Sequence, residues 1–199
     1  MNRRQLTRNA SLALAAAALF GCATANPTQV TRFHLGQPIA RGAITLEPLD
    51  PRANGSLEYK ADEDAVAAQL VKLGFTVQPG LRTSEQVAVV DVQRAVRPSY
   101  GGGSRFSIGL GGGSFGRGGG VGGGVQVPVG KPRSNEVAQT TLHVMLKRRS
   151  DGSTVWEGRA VSEARTGTAA DAPGPLVQRL ATALFADFPG VSGRTVSVK

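Results

Sequence analysis

Glu136-Val-Ala-Gln-Thr-Thr-Leu-His-Val-Met-Leu-Lys-Arg148, then Ser150-Asp-Gly-Ser153, then Thr154-Val-Trp-Glu-Gly-Arg-Ala-Val-Ser-Glu-Ala-Arg165, is the stretch that decides the fold. In the first arm Ala138, Leu142, Val144 and Leu146 fall on one face of an extended chain. In the second, Trp156, Gly158 and Ala160 share a face opposite Glu157, Arg159 and Glu163. A period of two with one polar face marks a sheet covered on one side only. The Asp-Gly between the arms suits a tight hairpin. Upstream, Val87-Ala-Val-Val-Asp-Val-Gln-Arg-Ala-Val96 is rich in β-branched residues and reads as another long strand. Asp91 is its one acidic interruption. Exposed, it needs no explanation; buried, it needs a cation such as Arg94 or Arg148.

Working outward, Thr31–Leu35 and Ala43–Glu47 are short strand candidates, and Thr195–Val198 is a candidate edge strand. Two helices fill the gaps. Asp62 is placed as an N-cap, with Glu63 and Asp64 complementing the positive helix end. Val66, Leu70 and Leu73 follow at helical spacing, and Gly74 then Phe75 read as a left-handed cap with a residue folding back. Pro175 is expected to open the second helix, with Leu176, Val177, Leu180, Leu184 and Phe188 as its stripe and Pro189-Gly190 as its stop. The predicted class is α+β: an antiparallel sheet with two helices packed on one face and a glycine-rich insertion between two long strands.

The first residues carry an address. Arg3, Arg4 and Arg8 precede an apolar run, Ala10 to Phe20, too short to cross a bilayer permanently. Leu19-Phe20-Gly21-Cys22 follows, and Cys22 is the only cysteine. A small residue before a cysteine at the end of such a run is what lipoprotein signal peptidase requires. The alternative is cleavage after Ala23-Thr24-Ala25, releasing a soluble protein. Arg3-Arg4 also resembles a twin-arginine signal, so both export routes stay open. We therefore expect a signal peptide at 1–21, lipid on Cys22, a tether over 22–30 and one periplasmic domain over 31–199. Ala23 after the cysteine suits outer-membrane sorting. Removing residues 1–21 deletes three arginines and no acid, taking the formal charge from +9 to +6. No basic run with interleaved aromatics points to nucleic acid.

Gly101–Gly124 holds 14 of the 27 glycines. It is no phosphate loop, because no Gly-Lys-Ser/Thr ends it. Phe106, Ile108 and Leu110 alternate on its entry side, and Val125, Val127 and Val129 on its exit side. These residues are candidates for membrane or partner contact, with Arg105, Arg117, Lys131 and Arg133 near headgroups; the plainer reading is a surface loop. His34 and His143 lack ligands at metal spacing, and no serine has a nucleophile elbow. No catalytic, metal or cofactor residue is therefore assigned, and a non-enzymatic role is expected.

The order of lipobox, helix ending Leu73-Gly74-Phe75, strand, glycine-rich insertion, strand, turn, Val155-Trp156-Glu157-Gly158-Arg159-Ala160, and Phe185-Ala-Asp-Phe188-Pro189 resembles the bacterial lipoproteins grouped as domain of unknown function 4136. The likeness covers most of residues 31–190. It implies a small α+β sandwich at the outer membrane and brings no catalytic residues. The expectation is an envelope accessory or binding module, membrane-bound through its lipid, with an envelope protein partner; the alternative is a structural subunit forming a homo-oligomer through the glycine-rich hairpin.

Overall fold

The computed structural model describes residues 27–80, 82, 84–98 and 136–199. Its strands are β1 (Thr28–His34), β2 (Ala43–Pro48), β3 (Thr76–Val77), β4 (Gln86–Pro98), β5 (Glu136–Arg148), β6 (Thr154–Arg165) and β7 (Arg194–Val198). Its helices are α1 (Leu57–Lys72) and α2 (Pro173–Phe185), with short 3-10 turns at Pro51–Ala53 and Ala169–Asp171. The strands form one sheet in the order β3-β2-β4-β5-β6-β1-β7. The fold is a mixed α+β one, and the sheet is mixed too.

The three long strands pair antiparallel as their alternation predicts. Pro98 faces Glu136 at one end of the β4–β5 ladder and Gln86 faces Arg148 at the other. β5 and β6 pair from Val137–Arg165 down to an irregularity at Leu146/Lys147. A purely antiparallel sheet is corrected on the other side, where β2 runs parallel to both β3 and β4. The cause is α1: a helical crossover between β2 and β4 returns the chain to the end from which it started, so the strands it joins run the same way.

Both helices open earlier than their acids and prolines suggested. α1 starts five residues before Asp62, at Leu57, where Ser56 Oγ accepts from Tyr59 N at 3.1 Å. Serine at this position is as good a cap as aspartate. Asp62 lies in the second turn, half-buried, and its carboxyl is raised to about 6 by burial and by Glu58. The far end is as read. Gly74 takes φ +90°, its N–H donates to Val71 O, and Phe75 N donates to Leu70 O, both at 3.0 Å. α2 begins at Pro173 rather than Pro175 and ends at Phe185, so Phe188 packs from beyond the helix.

One buried cluster gathers these elements: Ile44, Leu46, Ala88, Val90, Leu142, Val144, Leu146, Trp156 and Ala160 from the sheet, with Val66, Leu70, Leu180 and Leu184 from the helices. Trp156 stacks on Phe185 with centroids 5.3 Å apart, and its indole N–H donates to Pro189 O at 3.0 Å. Gly158 leaves the room the indole fills, since a Cβ there would lie 2.8 Å from Leu184 Cδ1.

Arg32 was not singled out from the sequence. It shares the core face of β1 with Val30 and is 3% exposed. Its Nε donates to Leu184 O at 2.8 Å and its Nη2 to Ala183 O at 2.9 Å, so a cation satisfies the last carbonyls of α2. Burial lowers its pKa, with Asp187 opposing.

Candidate functional site

The strand registers bring the chain's two unusual attachments to one end of the sheet. β1 enters at Thr28, six residues after Cys22, and Gln29 lies level with Val161, which lies level with Thr141 and through it Gln93. β4 leaves the sheet at Pro98 and β5 re-enters at Glu136, paired to it. Residues 99–135 therefore leave and rejoin the sheet at the end where β1 begins. Strand spacing of about 4.8 Å across three strands, with a rise of about 3.4 Å over some four residues, separates the two roots by roughly 20 Å.

Two ion pairs hold this end. Arg94 Nη2 donates to both oxygens of Asp171 at 2.9 and 2.7 Å, and Gly167 N donates to Asp171 Oδ2 at 3.2 Å. The bond from Arg94 keeps the Asp171 carboxyl below its ordinary range. Arg97 Nη2 donates to Glu163 Oε1 at 2.7 Å, tying β4 to β6 across β5. Asp91 is half-buried, and its partner is Gln93 Nε2 at 2.7 Å, not Arg94 or Arg148.

The opposite end is fixed by a separate network. Arg149 Nη2 donates to Glu47 Oε1 at 2.7 Å and to Thr45 Oγ1 at 3.0 Å, and its Nε donates to Ser84 O at 3.0 Å. Burial raises the Glu47 carboxyl, but Arg149 and the backbone N–H and charge of Arg82 together outweigh it, and the net direction is down. The two histidines are structural partners. His34 Nδ1 accepts from Gly36 N at 3.1 Å, so its Nε2 carries the proton donated to Gly190 O at 3.0 Å. His143 lies 2.8 Å from Glu157 on the face away from the helices. Among the described residues no three His, Cys, Asp or Glu side chains are grouped to hold a metal, and no helix is long and apolar enough to cross a membrane.

Of the residues singled out for contact, Cys22, Phe106, Ile108, Leu110, Val125 and Val127 lie outside the described residues. What the structure supplies is the position of their roots.

The family model for Domain of unknown function (DUF4136) matches residues 25–190. The chain belongs to this family. A DUF4136 relative by sequence, an uncharacterized protein of Zymomonas mobilis, is 35% identical across 87% of this chain and 80% of its own. Among solved structures, a PDZ domain protein from Parabacteroides distasonis aligns at a TM-score of 0.51 and 12% identity, covering 92% of this chain. The DUF4136 chain spans about two fifths of that protein (41%), and the likeness is one of fold alone. A PelC dodecamer from Paraburkholderia phytofirmans aligns at a TM-score of 0.41 and 13% identity, over 80% of this chain and 92% of that one, too loosely to bear on assembly.

Proposed function

We propose that this DUF4136 protein is a lipid-anchored, non-enzymatic module of the cell envelope, held at the periplasmic face of the outer membrane through Cys22. Its glycine-rich insertion contacts the bilayer or a membrane-bound partner. The observation that supports this reading is the shared end of the sheet: the tether and the insertion root some 20 Å apart. A tether of the few residues between Cys22 and Thr28 extends at most about 3.5 Å per residue. It therefore holds the roots of the insertion within a short distance of the lipid.

The composition of the insertion suits that place. Residues 99–135 carry four basic residues, Arg105, Arg117, Lys131 and Arg133, and no acid. Cations near an anionic surface contribute about 1 kcal/mol each. Phe106, Ile108, Leu110, Val125 and Val127 supply apolar contact on either side of the glycines. Several acyl chains, at about 0.8 kcal/mol per buried methylene, make the anchor itself effectively permanent.

Fractionation of cells carrying Cys22→Ala tests the anchor. The substituted protein is expected in the soluble fraction, or retained as unprocessed precursor. A Cys22→Ala chain that is processed and stays with the outer membrane as the wild type does would overturn the reading.

A further inference from the structure

A groove of about 500 Å³ runs between α2 and the end of β7. Two registers fix its place in the fold. Val198 lies level with Thr28, the first residue of β1, so β7 ends where β1 begins. α2 starts at Pro173, soon after β6 has left the sheet at Arg165, near Val137 at the start of β5. Both walls therefore reach the end of the sheet at which β1 begins, six residues after Cys22. Six residues span at most about 21 Å.

The walls have a definite chemistry. Pro175, Ala183, Ala186 and Val198 are apolar, and Ala183 is buried. Against them stand two cations, Arg179 from the second turn of α2 and Lys199 from just past the end of β7. No acidic side chain lines the groove. Among the described residues neither cation has a carboxylate partner. Arg179 Nη2 donates to Ala170 O at 2.9 Å, and the guanidinium keeps its further donors for a ligand. Gln178 adds an amide beside them.

We infer that this groove takes the headgroup of an anionic phospholipid from the leaflet that holds the anchor. The inference rests on the reading that Cys22 carries lipid. A phosphodiester brings a negative charge and two free oxygens. A guanidinium meets these with paired N–H donors, and an ammonium meets them as a point charge. The glycerol and first methylenes of the lipid then have the apolar wall to lie on, which a free phosphate ion cannot use. A zwitterionic headgroup brings a cation of its own, which Arg179 and Lys199 repel, so the groove selects for net negative charge. The tether keeps the domain at a high local concentration of such lipids, and a modest affinity is enough to fill the site. With the groove and the anchor at one end of the sheet, the strands stand off the bilayer and do not lie along it.

Native mass spectrometry of the extracted protein, in detergent micelles doped with phosphatidylglycerol or phosphatidylcholine, tests this. One phosphatidylglycerol per chain should be retained, and phosphatidylcholine several-fold less. Lys199→Gln should lower retention about fivefold, and Arg179→Gln combined with it about thirtyfold. Lys199 makes no contact that the fold uses, so Lys199→Gln should leave the melting temperature unchanged. Arg165→Gln removes an exposed cation at the same end of the sheet but outside the groove, and should change nothing. Equal retention of the two lipids, or retention untouched by the double substitution, would overturn the inference. So would displacement of the lipid by inorganic phosphate, which would make the occupant a free anion. The spectra also weigh the amino-terminal acyl chains. A chain without them refutes the anchor and the inference together, whereas an acylated chain that holds no phosphatidylglycerol refutes the inference alone.

Discussion

Gly158→Ala is the change that most sharply tests the packing of the core. Gly158 faces the helices from the middle of β6, and the added Cβ would lie 2.8 Å from Leu184 Cδ1 and 2.9 Å from Trp156 Cζ2. Neither neighbour can yield freely. Leu184 is fully buried, and Trp156 is held between Phe185, Phe188 and its bond to Pro189 O. Overpacking of this kind costs about 1–3 kcal/mol. If the indole tilts, it also loses a hydrogen bond worth about 1 kcal/mol and part of a stacking contact worth about 0.5–1.5 kcal/mol. Replacing a strand glycine returns about 0.5–1 kcal/mol of backbone entropy. The balance is a loss of roughly 2–3 kcal/mol, which lowers the melting temperature by about 4–12 °C at this size. Trp156 is the only tryptophan, so its fluorescence reports the indole directly while circular dichroism reports the melt. A Gly158→Ala chain as stable as wild type, with unchanged emission, would refute the reasoning.

Arg32→Met keeps the length of the side chain but leaves Leu184 O and Ala183 O without their donor; a loss of about 2–3 kcal/mol is expected in chemical denaturation. Asp62→Asn should act the other way. The folded carboxyl titrates near 6, above its unfolded value, so its charge destabilises the fold increasingly as pH rises from about 4 through 6. Asp62→Asn should therefore gain roughly 1 kcal/mol at pH 7, discounted for the water that reaches the group, and nothing below pH 4; an equal effect at both pH values would contradict it. Asp171 has the opposite sign. Its carboxyl is lowered by Arg94, so the pair stabilises at neutral pH and the benefit fades as pH falls through the lowered value. Arg94→Gln should accordingly flatten the acid limb of the stability–pH curve.

The strands were legible because each carries a period of two that burial then enforces. β5 and β6 alternate without a break, and their paired faces are those read from Leu142 and Trp156. The Gly74–Phe75 cap was legible for a similar reason, since a positive φ after Leu73 needs glycine. The parallel strand β2 was not, because six residues carry no mark of direction; α1 decides it. Ser56 was passed over for Asp62, since three acids in a row look like a helix start while one serine does not. Arg32 had a signal in its parity with Val30, but a charge in a strand is usually read as outward. The glycine-rich run was plain in composition. That its two ends and the start of β1 share one end of the sheet depends on registers across four strands, which no local pattern contains.

Mass spectrometry of the amino-terminal peptide of the native protein tests the central claim most directly. A chain beginning at Cys22 with diacylglycerol on its sulfur is the expected result. An unmodified chain beginning at Asn26 would contradict the account.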